Sequence, residues 1–123
     1  MTADTTMNPN QLCEFVVTVL EDMKGQQIEV IDLIDRNSFA DYLVIASGTS
    51  TRQVKAMADR LVEQAKLKGV RPMGIEGERE GEWVLVDLCD VVVHLMLPQT
   101  RAFYNLEKLW SAPPSTRSTN ARG

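Results

Sequence analysis

The chain has 123 residues, 44% of them hydrophobic, with 17 acidic against 13 basic side chains and a formal charge of −4. That length fits one domain with a real core. The sign of the charge disfavours direct binding to DNA or RNA, which needs a positive patch to displace counterions.

No apolar run reaches the length of a membrane span, so no membrane attachment is expected. The polar start Met1-Thr2-Ala3-Asp4-Thr5-Thr6 lacks the basic and apolar segments of a signal peptide. A cytoplasmic location is therefore expected. Cys13 and Cys89 are the only cysteines. Two isolated thiols fit neither a disulfide framework nor a zinc site.

Residues 1–8 are expected to be disordered. Asn8-Pro9 then reads as a helix start, with Asn8 as cap and Pro9 in the first turn. Leu12, Phe15, Val16, Val19, Leu20 and Met23 recur at three- and four-residue spacing. Pro9 to Lys24 is thus an amphipathic helix, terminated by Gly25. Gln27 to Leu33 reads as a partly covered strand, because its alternation is imperfect. Asp35 to Ser38 is a polar loop, and the ring of Phe39 is expected to tuck under the domain. Tyr42 to Ala46 is apolar on both faces, as a central strand covered on both sides would be.

Ser50 with Gln53 matches a capping box, and Val54, Met57, Ala58, Leu61, Val62 and Ala65 make the stripe of a second helix ending at Gly69. The turn at Gly48 lacks the spaced glycines and the lysine of a phosphate-binding loop, so an ordinary capped helix is expected there. Val70 to Glu80 is a loop with one short strand at Met73–Ile75. Arg101 to Trp110 has helical spacing. Residues 9–111 form the single expected domain, and 112–123 an expected disordered tail.

The stretch from Glu82 to Leu97 organises the rest. Two β-branched runs, Trp83–Leu88 and Val91–Leu97, flank Cys89-Asp90 and read as a hairpin. With those two residues in the turn, Leu88 lies opposite Val91, Val86 opposite Val93, and Val84 opposite Leu95. This aliphatic face must be core. The other face pairs Asp87 with Val92, Leu85 with His94, and Trp83 with Met96. It mixes apolar anchors with a carboxylate and an imidazole, which suits a surface that meets a partner. The expected fold class is α/β, a mixed β-sheet packed with helices in the order α-β-β-α-(β)-β-β-α. The two long helices should cover the aliphatic face.

His94 is the only histidine. Asp87 is its diagonal neighbour and is expected to reach it, with His94 hydrogen-bonded at the edge of a sheet. Asp87, Asp90 and His94 would be the polar core of a small metal-dependent enzyme, the alternative reading. No serine, cysteine or lysine is placed beside His94 as a nucleophile. No catalytic residue, cofactor or metal is therefore expected. The segment Glu76 to Asp90 holds Glu76, Glu78, Glu80, Glu82, Asp87 and Asp90 against Arg79 alone. That field attracts basic protein surface.

Several motifs resemble the ribosomal silencing factor (Iojap-like) family. They are Asp41-Tyr42 before a strand, Gly48-Thr49-Ser50 before a helix, Gly74-Ile75-Glu76-Gly77-Glu78, Trp83-Val84-Leu85-Val86-Asp87, Asp90-Val91-Val92-Val93-His94, and Phe103 to Trp110. The resemblance implies a nucleotidyltransferase-like α/β fold without that superfamily's catalytic acids. It also implies binding to ribosomal protein L-fourteen of the large ribosomal subunit, which sterically blocks joining of the small subunit and represses translation. The family's interface tryptophan matches Trp83. Where the family often has glycine, this chain has Cys89, a departure that counts against a positive-φ turn there and leaves a longer turn as the alternative to the two-residue one.

The partner-binding residues expected are Trp83, Leu85, Asp87, His94 and Met96, flanked by Glu76, Glu82, Arg101 and Tyr104; for Trp83 and Met96, plain packing under the last helix is an equal alternative. A homodimer through the apolar face is expected when ribosomes are absent.

Overall fold

A computed structural model describes residues 7–34 and 40–104. The first helix, α1 (Pro9–Asp22), starts where a full capping box sets it. The Gln11 amide donates to Asn8 Oδ1 at 2.8 Å, and the Asn8 amide donates to Gln11 Oε1 at 3.0 Å. Its end departs from expectation. The left-handed residue is Lys24, at φ 66°, and Gly25 follows it. The Lys24 and Gly25 amides donate to the carbonyls of Glu21 and Leu20, which closes the last turn.

Strand β1 (Gln26–Asp32) comes next, then β2 (Tyr42–Ser47). A register shift between Gln26 and Glu29, with Gln27 at φ 49°, accounts for the imperfect alternation of β1. The expectation for Phe39 falls outside the described residues.

Helix α2 (Thr51–Leu67) is capped by the Ser50 hydroxyl, which accepts from the Gln53 amide. The reciprocal half of the box is displaced by one residue. Gln53 Oε1 accepts from the amide and hydroxyl of Thr49 instead of the Ser50 amide. Gly48 sits in this turn for reasons of packing, because a Cβ there would lie 2.9 Å from Val54 Cγ2. Gly69, at φ 81°, ends the helix as expected.

The chain then forms β3 (Gly74–Glu76), β4 (Trp83–Asp87), β5 (Val91–Met96) and α3 (Pro98–Tyr104). Pro98 opens α3, three residues earlier than the spacing gave. Residues 1–6 of the expected disordered start, the remainder of the expected helix, the expected tail and Trp110 lie outside the described residues, whereas Asn8, placed in that start, is ordered as the cap of α1.

The five strands form one sheet in the order β1-β2-β5-β4-β3. Only β2 and β5 pair in parallel; the other three pairings are antiparallel. From β2 the chain crosses through α2 to the far edge, and β4 and β5 then fill the gap. His94 therefore lies on the middle strand, where an edge position was expected. A local hairpin pattern does not reveal which strand its outer side will meet.

The hairpin has the expected register from Trp83↔Met96 to Asp87↔Val92. Its aliphatic face faces both long helices, and Val84, Val86, Val91, Val93 and Leu95 have no exposed surface. They share one core with Leu12, Val16, Leu20, Met57 and Leu61.

The turn between the strands holds two residues, not more. Cys89 takes φ 76° without being glycine. The Asp90 amide donates to the Leu88 carbonyl at 3.0 Å, a γ-turn centred on Cys89. Asp87 Oδ1 accepts from the Cys89 amide at 2.8 Å and holds the turn in place.

Candidate interaction surface

The second face of the sheet is read across the strands in three rows. Trp83, Met96 and Ser47 form one; Glu76, Leu85, His94 and Ile45 the next; Gly74, Asp87, Val92 and Leu43 the third. The face is graded. On β2 and β5, Leu43, Ile45 and Met96 are sealed with Leu33 into a small second core. On β4, Trp83, Leu85 and Asp87 each keep part of their surface in water, as does Val92 beside them. Trp83 and Val92 pack against the rim of that second core. The open ground thus lies on the β4 side.

This grading separates the expected site residues. Trp83, Leu85 and Asp87 are half-buried, and Glu76 and Glu82 are exposed beside them. Met96 is fully buried and supports the face from beneath. It was expected as a surface anchor, but it is buried in one cluster with Leu33, Leu43 and Ile45. Arg101 is also buried, at 4% exposure, where its Nη1 donates to the Ser47 hydroxyl at 2.9 Å. It ties α3 to the sheet. The Tyr104 side chain is outside the described residues.

The expected Asp87–His94 pair does not form. Asp87 Oδ1 is occupied by the Cys89 amide. His94 instead accepts at Nδ1 from Trp83 Nε1, at 2.9 Å. The two ring centroids are 5.8 Å apart, with the planes inclined at 47°. Trp83 and Asp87 are the two diagonal neighbours of His94, and the twist of a sheet makes such diagonals unequal. Burial holds His94 far on the neutral side, at a pKa of about 4. A neutral ring with Nδ1 as acceptor carries its proton on Nε2.

The backbone at Trp83 is closely packed as well. Gly77, at φ 84°, brings the loop before β4 against the Trp83 carbonyl, where any Cβ would collide. Sequence reasoning missed Gly77. Its signal was a glycine six residues ahead of the anchor, within an acidic loop. The acids Glu76, Glu78, Glu80 and Glu82 are all exposed along this loop. Glu76 lies opposite Leu85 on the open face and Glu82 precedes Trp83 in the chain, whereas Glu78 lies with Arg79 beside Lys55 and Asp59 of α2.

No group of three histidine, cysteine, aspartate or glutamate side chains is placed to hold a metal among the described residues. Cys13 is buried, and burial, then Glu14 and Asp32, push its thiol upward and away from reactivity. A cleft of about 630 Å³ where α2 turns towards β3 is lined by Lys66, Gly69, Arg71 and Pro72, without an acid or a histidine. No described helix is long and apolar enough to cross a membrane.

Fold and face together define a small α/β domain whose sheet is closed by helices on one side and half open on the other. Comparison with known proteins places that architecture. A profile described as "Ribosomal silencing factor during starvation" matches residues 6–122. The chain belongs to the ribosomal silencing factor family. It is 42% identical over 106 residues to the Ribosomal silencing factor RsfS of Zymomonas mobilis, spanning 86% of this chain and 80% of that one. It is 41% identical over 101 residues to a mouse protein named "Mitochondrial assembly of ribosomal large subunit protein 1", covering 80% of this chain and 44% of the mouse protein. A crystal structure from Chromobacterium violaceum superposes with a TM-score of 0.83 at 39% identity, over 94% of this chain and 96% of that chain.

Proposed function

We propose that this protein represses translation by binding ribosomal protein L-fourteen on the large subunit, through the β4 side of its open sheet face, so that the small subunit cannot dock. The observation that carries the reading is Trp83, a large aromatic ring left half-buried at the rim of an apolar cluster, with exposed Glu76 across from Leu85 on the same face and exposed Glu82 next to it in the chain. An aromatic anchor within a charged rim is the usual make-up of an energetic centre in a protein interface. The negative rim selects a basic polypeptide over ribosomal RNA.

Family membership supports the ribosomal target, as do the names of its relatives. The mechanism is steric and needs no chemistry. It takes place in the cytoplasm. The same open ground pairs two copies of the chain when ribosomes are absent.

A subunit-joining assay with purified subunits tests this directly. Saturating protein lowers the yield of joined ribosomes, and co-sedimentation places it on the large subunit. Trp83→Ala lowers that affinity by roughly thirtyfold or more while the fold melts cooperatively. Unimpeded joining at saturation overturns the proposal. So does saturable, magnesium-dependent ATP binding accompanied by turnover.

A further inference from the structure

We infer that His94 is a positioning residue, whose Nδ1 holds the Trp83 indole in the orientation that the partner meets. The inference rests on the reading of Trp83 as the anchor of the interface. It deepens that reading by assigning a role to the one histidine of the chain.

Three observations combine. First, the indole N–H donates to Nδ1 at 2.9 Å, within the range of a well-formed hydrogen bond. Second, the acceptor is rigid. His94 is 9% exposed and lies on the middle strand, between Ile45 on β2 and Leu85 on β4. A side chain so placed has few rotamers open to it. Third, the donor is at the start of its strand and half in water. The bond to a fixed acceptor narrows the range of its two side-chain torsions beyond what its packing against the second core sets. Fixing a side chain before association saves the ordering it would otherwise undergo on binding.

The chemistry requires an acceptor. A neutral imidazole accepts at one nitrogen and donates at the other, whereas the protonated ring only donates. Burial keeps the ring in the neutral form. The design is therefore a buried acceptor facing a half-exposed donor. Its effect is to hold one large ring at the rim with its N–H satisfied.

Two variants separate this role from plain packing. His94→Leu keeps bulk and removes the acceptor. His94→Asn places an amide oxygen near the position of Nδ1. In nitrogen–proton correlation spectra the Trp83 indole resonance, assigned by its absence in Trp83→Phe, is expected to move upfield in His94→Leu. The affinity of His94→Leu for large subunits is expected to fall about threefold to tenfold. His94→Asn is expected to recover to within about twofold of the unaltered protein, although both variants melt earlier.

Equal affinity loss in the two folded variants overturns the inference, because bulk would then be the cause. Unaltered binding by His94→Leu, in a preparation where Trp83→Ala has lost binding, overturns it while sparing the proposed interface. Unaltered binding by Trp83→Ala removes the interface reading and the inference with it. One measurement needs no variant. In the unaltered protein the single histidine must show Nδ1 as the unprotonated ring nitrogen, and the opposite tautomer overturns the inference.

Discussion

Val84, Val86, Val93 and Leu95 point under α1 and α2 and are wholly buried, whereas Trp83, Leu85, Asp87 and Val92, one residue away in each case, keep part of their surface in water. The two sets share the same backbone, register and hydrogen bonds. They differ only in what their own chain lays over them. On the helix side, aliphatic side chains meet a ready-made apolar partner and close a core. On the other side the described chain supplies α3, fastened by Arg101 to Ser47. Leu33, Leu43, Ile45 and Met96 close a small second core on β2 and β5, and β4 keeps its side chains half in water. A sheet can therefore be finished on one face and left as a docking surface on the other, provided that the second face is polar enough to stand in water.

The comparison breaks most severely if a charge is placed on the closed side. Val93→Asp buries a carboxylate among Val44, Leu61 and Leu95, with no cation provided. It is expected to cost more than about 4 kcal/mol and to abolish the cooperative melt. Val92→Thr, on the open side, is expected to cost less than about 1 kcal/mol. A thermal or urea melt of the two variants reads the contrast, and equal losses would show that the second face is as closed as the first.

Acid tests the open side next. His94 is neutral when folded, with its pKa lowered from 6.5 to about 4, and burial is the cause. The unfolded chain therefore takes up a proton before the folded one does. Stability is undiminished above pH 6.5 and falls as the pH drops from 6.5 towards 4. The full difference corresponds to about 3 kcal/mol. Urea unfolding at pH 7 and pH 4.5 is expected to show most of it in the unaltered protein and little of it in His94→Leu. A third, smaller effect is expected from Gly77→Ala. The new Cβ meets the Trp83 carbonyl in a left-handed backbone. A loss of about 1–3 kcal/mol is expected, with a shifted indole resonance.

Much of this contrast was legible in the sequence, because it follows from alternation. The purely aliphatic set Val84, Val86, Val93, Leu95 has only one place to go, and that fixes the register and which face meets the helices. What could not be read was non-local. The burial of Met96 depends on Leu43 and Ile45, which the sheet order brings alongside. The central place of His94 depends on the same parallel pairing with β2. The partner of His94 was misassigned because strand spacing makes Trp83 and Asp87 equivalent, while the turn has already taken the Asp87 carboxylate. Left-handed residues were invisible at Lys24, Gln27 and Cys89, since pattern reading assigns such positions to glycine.

Cys89 gives the smallest and most discriminating change. Its φ of 76° places a Cβ where an L-residue is strained by about 1–2 kcal/mol. Cys89→Gly removes that strain but gives the unfolded chain more freedom, which returns about 0.4–1 kcal/mol. The net expectation is a stabilisation of roughly 0.5–1 kcal/mol, seen as a melting temperature higher by a few degrees. The turn lies at the opposite end of β4 from Trp83, about 20 Å away along the strand. If docking centres on Trp83 with Glu76 and Glu82, Cys89→Gly leaves the affinity for large subunits unchanged while stability rises. A loss of affinity in this more stable protein would mean that the partner reaches the tip of the hairpin, and that the whole open face, not its Trp83 end, carries the interface.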